Sequence, residues 1–213
     1  LIPQNPTICL KNPPKQVIRK DQQLRYIKHF YDSGKSGTLD LRKLGLDELP
    51  VELTHLFWAH KELHSLERLR LSGNTISNII HGPQNWTTLL ELDLDSNQLN
   101  EIPDSLCDLT NLHRLNLSQN MLSKIPQNLS RLKNLRSVLM EDNKLLEVPE
   151  NCFKAWEDLE SLVISKNYIS TLPPDLFEYC SQLKQLRIDS NRLNALPDSM
   201  AKATDLLELR CSS

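Results

Sequence analysis

The chain has 213 residues, a mass of 24.5 kDa, a formal net charge of -2 and a pI near 6.3. Length and an apolar fraction of 39% suffice for one ample core. The near-neutral charge argues against an electrostatic grip on nucleic acid or on a membrane surface, and no run of eighteen apolar residues predicts a bilayer span.

Residues 1–15, LIPQNPTICLKNPPK, are rich in Pro and Asn and predict an extended segment. They lack the basic and apolar regions of a signal peptide. The next stretch, 16–37, places Val17, Leu24, Ile27 and Tyr31 at helical spacing with Gly34 as a stop. We read it as a capping helix and linker. Gly34-Lys35-Ser36 matches the end of a P-loop, but His29 stands where the first Gly is needed. A phosphate-gripping loop also requires a strand before it and a helix after it. Here the predicted order is the reverse, so the loop is a linker.

A repeat governs 38–213. After an irregular first unit, TLDLRKLGLDELP, comes an insertion, THLFWAHKELHS, that contains Trp58. Leu39 to Leu69 therefore spans 30 residues. Trp58 packing over the core is the simpler reading, with partner binding the other. LERLRLSGNTI then starts at Leu66, LLELDLDSNQL at Leu89, LHRLNLSQNML at Leu112 and LRSVLMEDNKL at Leu135. LESLVISKNYI from Leu159, LKQLRIDSNRL from Leu183 and a truncated LLELRC from Leu206 complete about eight units. The starts are 23, 23, 23, 24, 24 and 23 residues apart. This L-x-x-L-x-L-x-x-N-x-L pattern, usually followed by x-x-[IVL]-P, resembles the leucine-rich repeat superfamily over more than four-fifths of the chain. The L-P-x-x-L form is similar to the intracellular Ras-group, scaffold and ROCO-protein repeats, and related repeats occur in bacterial effectors.

The resemblance implies an α/β solenoid, a horseshoe with a concave parallel sheet and an irregular or 3-10 convex side. Alternation in a strand sends Leu92 and Leu94 inward and Asp93 outward. The prolines that follow each turn (Pro50, Pro103, Pro126, Pro149, Pro173 and Pro197) suit extended convex segments rather than long helices. The 24-residue repeats add Phe153, Trp156 and Phe177 as convex filling. Asn74, Asn97, Asn120, Asn143, Asn167 and Asn191 are, by family resemblance, a structural ladder. An amide has both donors and an acceptor for bridging turns. In the first unit Leu44 takes the Asn place.

No catalytic constellation stands out. His60 and His64 share the spacing of a zinc motif, but Lys61 replaces its Glu, so a solvated pair is the simpler reading. The five cysteines (Cys9, Cys107, Cys152, Cys180 and Cys211) form no C-x-x-C pair and read as free thiols in a reducing, cytoplasmic setting. Sequons at Asn85, Asn116 and Asn128 pull weakly against that. No metal or cofactor is implied.

Binding in this family implies the concave face. Its middle column reads Asp40, Arg70, Asp93, Asn116, Leu139, Val163, Arg187, Arg210, and the next reads Arg42, Ser72, Asp95, Ser118, Glu141, Ser165, Asp189, Ser212. Glu91, Asp93 and Asp95 form an acidic patch flanked by Arg68, Arg70 and Arg114. Leu139 beside Val163 would be an apolar pair on a wet surface, rimmed by Asn116, Glu141, Arg187 and Arg210, the layout of an interface centre. The expected function is therefore a non-enzymatic module that binds a protein partner. The alternatives are a regulatory or targeting domain of a larger signalling enzyme (kinase, GTPase or ubiquitin ligase), a bacterial effector, and, less well matched, a receptor ectodomain.

Overall fold

The computed structural model describes residues 37–49, 66–79 and 86–212. The expected extended segment at 1–15, the helix expected before Gly37, the insertion with Trp58, the His60/His64 pair, Cys9 and the Asn85 sequon lie outside them.

Within the described residues, eight three-residue strands make one parallel sheet in strict chain order. They are β1 Thr38–Asp40, β2 Arg68–Arg70, β3 Glu91–Asp93, β4 Arg114–Asn116, β5 Ser137–Leu139, β6 Ser161–Val163, β7 Gln185–Arg187 and β8 Glu208–Arg210. The repeat length sets the register: Leu39, Leu69, Leu92, Leu115, Val138, Leu162, Leu186 and Leu209 face one another strand by strand. The ladder runs one residue past each strand, as in Leu94 N to Asn116 O and Met140 N to Val163 O, both 2.8 Å.

Because successive side chains alternate, the central residue of each strand points into the core with the leucine two positions later. Leu92, Leu94, Leu115 and Leu117 are at most 1% exposed. Burying one such side chain stabilises by roughly 1.5–3 kcal/mol. A single repeat cannot offset its ordering entropy, so neighbours must stack. All described repeats contribute to one hydrophobic cluster.

The convex side follows repeat length. Three of the 23-residue units make 3-10 helices, Asp104–Asp108, Gln127–Arg131 and Asp198–Lys202, each after a proline with φ between -60 and -70°. The 24-residue units make short α-helices instead, α1 Glu150–Ala155 and α2 Leu176–Tyr179. The irregular or 3-10 back expected from sequence is thus helical in two places, because the extra residue completes an α turn. Phe153, Trp156 and Phe177 fill the layer beneath, each at most 1% exposed.

Between strand and back, each chain turn is pinned by an asparagine amide. Asn120 accepts from Leu99 N–H at 2.9 Å and donates to Leu94 O and Leu117 O at 3.0 and 3.1 Å. Asn74, Asn97, Asn143, Asn167 and Asn191 repeat this, each bridging its own turn to the one before. The residue just before each amide is left-handed, as is Lys43 before Leu44: Lys43, Gly73, Ser96, Gln119, Asp142, Lys166 and Ser190 all have φ between 53 and 70°. Leu44 has no amide, and its N–H donates to Asn74 Oδ1 instead.

Candidate functional site

The outward positions of the eight strands form the face that sequence periodicity singles out. Flanking each inward leucine are two outward residues, which align into columns through the register. The middle column is Asp40, Arg70, Asp93, Asn116, Leu139, Val163, Arg187, Arg210. A companion column, Thr38, Arg68, Glu91, Arg114, Ser137, Ser161, Gln185, Glu208, runs beside it at the same period. Its residues stand at an x position of the same motif, so repeat spacing alone could have found Gln185 and Glu208.

Charge on this face is largely internally matched. Arg42 clasps Asp40, with Nε to Oδ1 at 2.9 Å, and holds that carboxyl below its usual range. Arg68 pairs with Glu67 and Glu91, both at 3.3 Å. Asp93 takes the Asn116 amide at 3.0 Å and the Asp95 backbone N–H at 3.2 Å. Arg114 makes no ion pair with the acidic patch and donates one bond, to Ser137 Oγ at 3.1 Å. Lys166 reaches Glu141 at 2.8 Å, and Ser165 donates to Asp189 at 2.7 Å. Near the last strand, Glu208 accepts from Gln185 Nε2 at 2.6 Å and from Arg187 Nε at 2.8 Å, and forms an ion pair with Arg210 at 2.8 Å. The Gln185 amide and the Arg187 guanidinium, with Arg210 beyond, hold the Glu208 carboxyl down at about 2.

Leu139 and Val163 are register partners, side by side as expected. Their exposure differs from the expected wet pair. Val163 is only 4% exposed and Ser165 2%, while Leu139 is half-buried. In the register Val163 sits between Leu139 and Arg187, both with longer side chains than its own. The apolar centre open to a partner is therefore Leu139 within a polar frame.

No group of three or more His, Cys, Asp or Glu side chains among the described residues is placed to hold a metal. Burial pushes the Cys107, Cys152 and Cys180 thiols up to about 12, which keeps them protonated in the convex layer. No described helix is long and apolar enough to cross a membrane.

Known proteins match this geometry. One leucine rich repeat model matches residues 87–145 and 133–193, and another matches 65–86. Among solved structures, the plant peptide hormone receptor RGFR1, in complex with RGF2, superposes with a TM-score of 0.61 at 26% identity, over 75% of this chain and 25% of the receptor. A TDR receptor gives 0.62 at 25% identity, over 76% of this chain and 28% of its own. The Leptospira interrogans LRR protein LIC12759 shares the fold, with 0.52 at 21% identity over 85% of this chain and 62% of its own. This chain thus spans about a quarter of the length of the two receptors. No curated protein matches the chain in sequence. Repeat spacing, amide-pinned turns, one parallel sheet in chain order and family-model matches over most of the described residues agree: the chain belongs to the leucine-rich repeat family.

Proposed function

We propose that this chain is a protein-interaction module without catalytic function, which grips a protein partner on the outward face of its parallel sheet. The observation that carries the reading is the continuity of that face. Eight strands in register present columns of half-exposed, chemically varied side chains with Leu139 at their centre. A rigid array with an apolar centre and a polar, charge-matched frame has the anatomy of an interface. RGFR1, solved in complex with RGF2, supports the reading as a similar repeat array that carries a bound partner. The partner-contacting set is Arg70, Asp93, Asn116, Leu139, Glu141, Arg187 and Arg210, with the buried Val163 beside Leu139. We infer a cytoplasmic setting from the three buried free thiols in the convex layer.

The test is capture from a lysate of the source cells with this chain and with a Leu139→Glu, Arg210→Glu variant as matched baits. Both must share circular dichroism and melting behaviour, which the partial exposure of both positions allows. A protein held by the first and released by the second supports the reading. Equal retention moves recognition off this face.

A further inference from the structure

Six arginines stand in the three columns of the sheet face, and they divide by what their guanidinium groups touch. Arg42 is committed to Asp40, Arg68 to Glu67 and Glu91, and Arg187 and Arg210 share Glu208. Among the described residues, Arg70 makes no side-chain hydrogen bond or ion pair, and Arg114 makes one, to the neutral Ser137 hydroxyl. These two belong to strands β2 and β4 and line the same cleft, of about 130 Å³, together with Arg68, Glu91, Asp93 and Asn116. A guanidinium carries five donors in a rigid fork. Apart from the Arg114 bond to Ser137, the donors on Arg70 and Arg114 are not taken by any side chain among the described residues.

The acids nearby take their hydrogen bonds from other groups, although the Arg70 charge also helps to hold the Asp40 carboxyl down. Glu91 is taken by Arg68, Asp93 by the Asn116 amide and the Asp95 N–H, and Asp40 by Arg42. The cleft's volume is that of about four waters at roughly 30 Å³ each, room for a carboxylate and the first carbons that carry it. Three arginines against two carboxylates leave one unit of positive charge in the lining. A monoanion neutralises that unit. A phosphate, with about two negative charges near neutral pH, overshoots it and faces Glu91 and Asp93 across the cleft.

We propose that this cleft receives a single carboxylate, an aspartate or glutamate side chain of the protein partner, held between the guanidinium groups of Arg70 and Arg114. The proposal rests on the reading of the sheet face as the partner surface and adds the chemistry of one anchor point. Arginine suits it because its planar fork matches both carboxylate oxygens.

The experiment follows arginine Nε–Hε signals of the full 213-residue chain by NMR, during titration with acetyl-Gly-Glu-Gly-amide at pH 7. The Gln tripeptide and the phosphoserine tripeptide are the comparisons. Saturable shifts at Arg70 and Arg114, absent with the Gln peptide and at Arg187 and Arg210, are expected. R70Q or R114Q lowers the Glu-peptide affinity by ~10-fold or more, as loss of a charge-assisted bond requires, while R131Q, on the convex side, leaves it unchanged. Shifts that are equal at all four arginines, or equal with the Gln peptide, overturn the site. Tighter binding of the phosphoserine peptide overturns the carboxylate in favour of a phosphorylated partner. Absent shifts with capture still lost on L139E, R210E overturn the cleft and leave the partner surface standing. Cleft binding with capture indifferent to L139E, R210E and to R70Q, R114Q overturns the partner surface and the carboxylate's origin in that partner.

Discussion

Asn120→Ala isolates one rung of the amide ladder, and the structure says what is lost. The amide has four bonds, from Leu99 N–H at 2.9 Å and to Leu94 O, Leu117 O and Ser118 O at 3.0 to 3.1 Å. The three carbonyls keep other donors: Asn97 for Leu94 O, Asn143 for Leu117 O, and Ser96 N–H for Ser118 O. The Leu99 N–H has no substitute, and Leu99 is 1% exposed. One orphaned buried donor costs about 1–3 kcal/mol, and the void left by the amide raises the total to roughly 2–4 kcal/mol. At about 2–4 °C per kcal/mol for a chain of this size, melting should fall by roughly 4–16 °C. The assay is thermal melting by circular dichroism, with hydrogen exchange at the Leu99 amide as the local probe. Asn191→Ala should cost less, because that amide is only partly buried and water can replace it. A change below about 1 °C for Asn120→Ala, with Leu99 exchange unaltered, would refute the ladder as a source of stability.

Val163→Ser should destabilise by about 2 kcal/mol, since it places a hydroxyl in a buried apolar position. Leu139→Ser should cost less than half as much, and urea melts of the pair check the order. The Glu208 carboxyl is held at about 2 in the folded chain, below its ordinary 4.5. Its stabilising contribution is therefore complete above about pH 4.5 and lost as pH falls toward 2. A carboxyl ¹³C titration should find that midpoint, and Glu208→Gln should flatten the stability profile in that window. In a Cys9→Ser background, a thiol reagent should label Cys211 at once. Cys107, Cys152 and Cys180 should react only on unfolding, because all three are buried.

The repeat made the strand register legible. Leu92 opposite Leu115 and Arg70 opposite Asp93 follow from a spacing of 23 residues, because a parallel sheet stacks equivalent positions. The inward leucines were legible for the same reason. The burial of Val163 was not, because it depends on the side chains around it, which come from strands 24 residues away in sequence. Nor was the division of the arginines. Whether Arg114 turns to Glu91 or to Ser137 is a rotamer choice made among near-equal partners, and it leaves no mark on the motif. The exchange of 3-10 for α geometry was half legible. The added residue could be counted, but its placement into a complete α turn required the packing of Phe153 against Trp156, an edge-on contact with centroids 6.2 Å apart.

That added residue also acts at a distance. Neighbouring α-helices need about 8–10 Å between axes, while the strands they follow stay about 4.8 Å apart. Two successive α-helical backs, α1 and α2, therefore favour a wider convex side and a front that curves toward itself. Val163 and Ser165, the buried outward residues of the face, belong to the repeat that carries α2. The length of a convex loop thus sets the radius of the opposite surface. A one-residue insertion or deletion on the back would retune the shape of the gripping face without altering any residue on it.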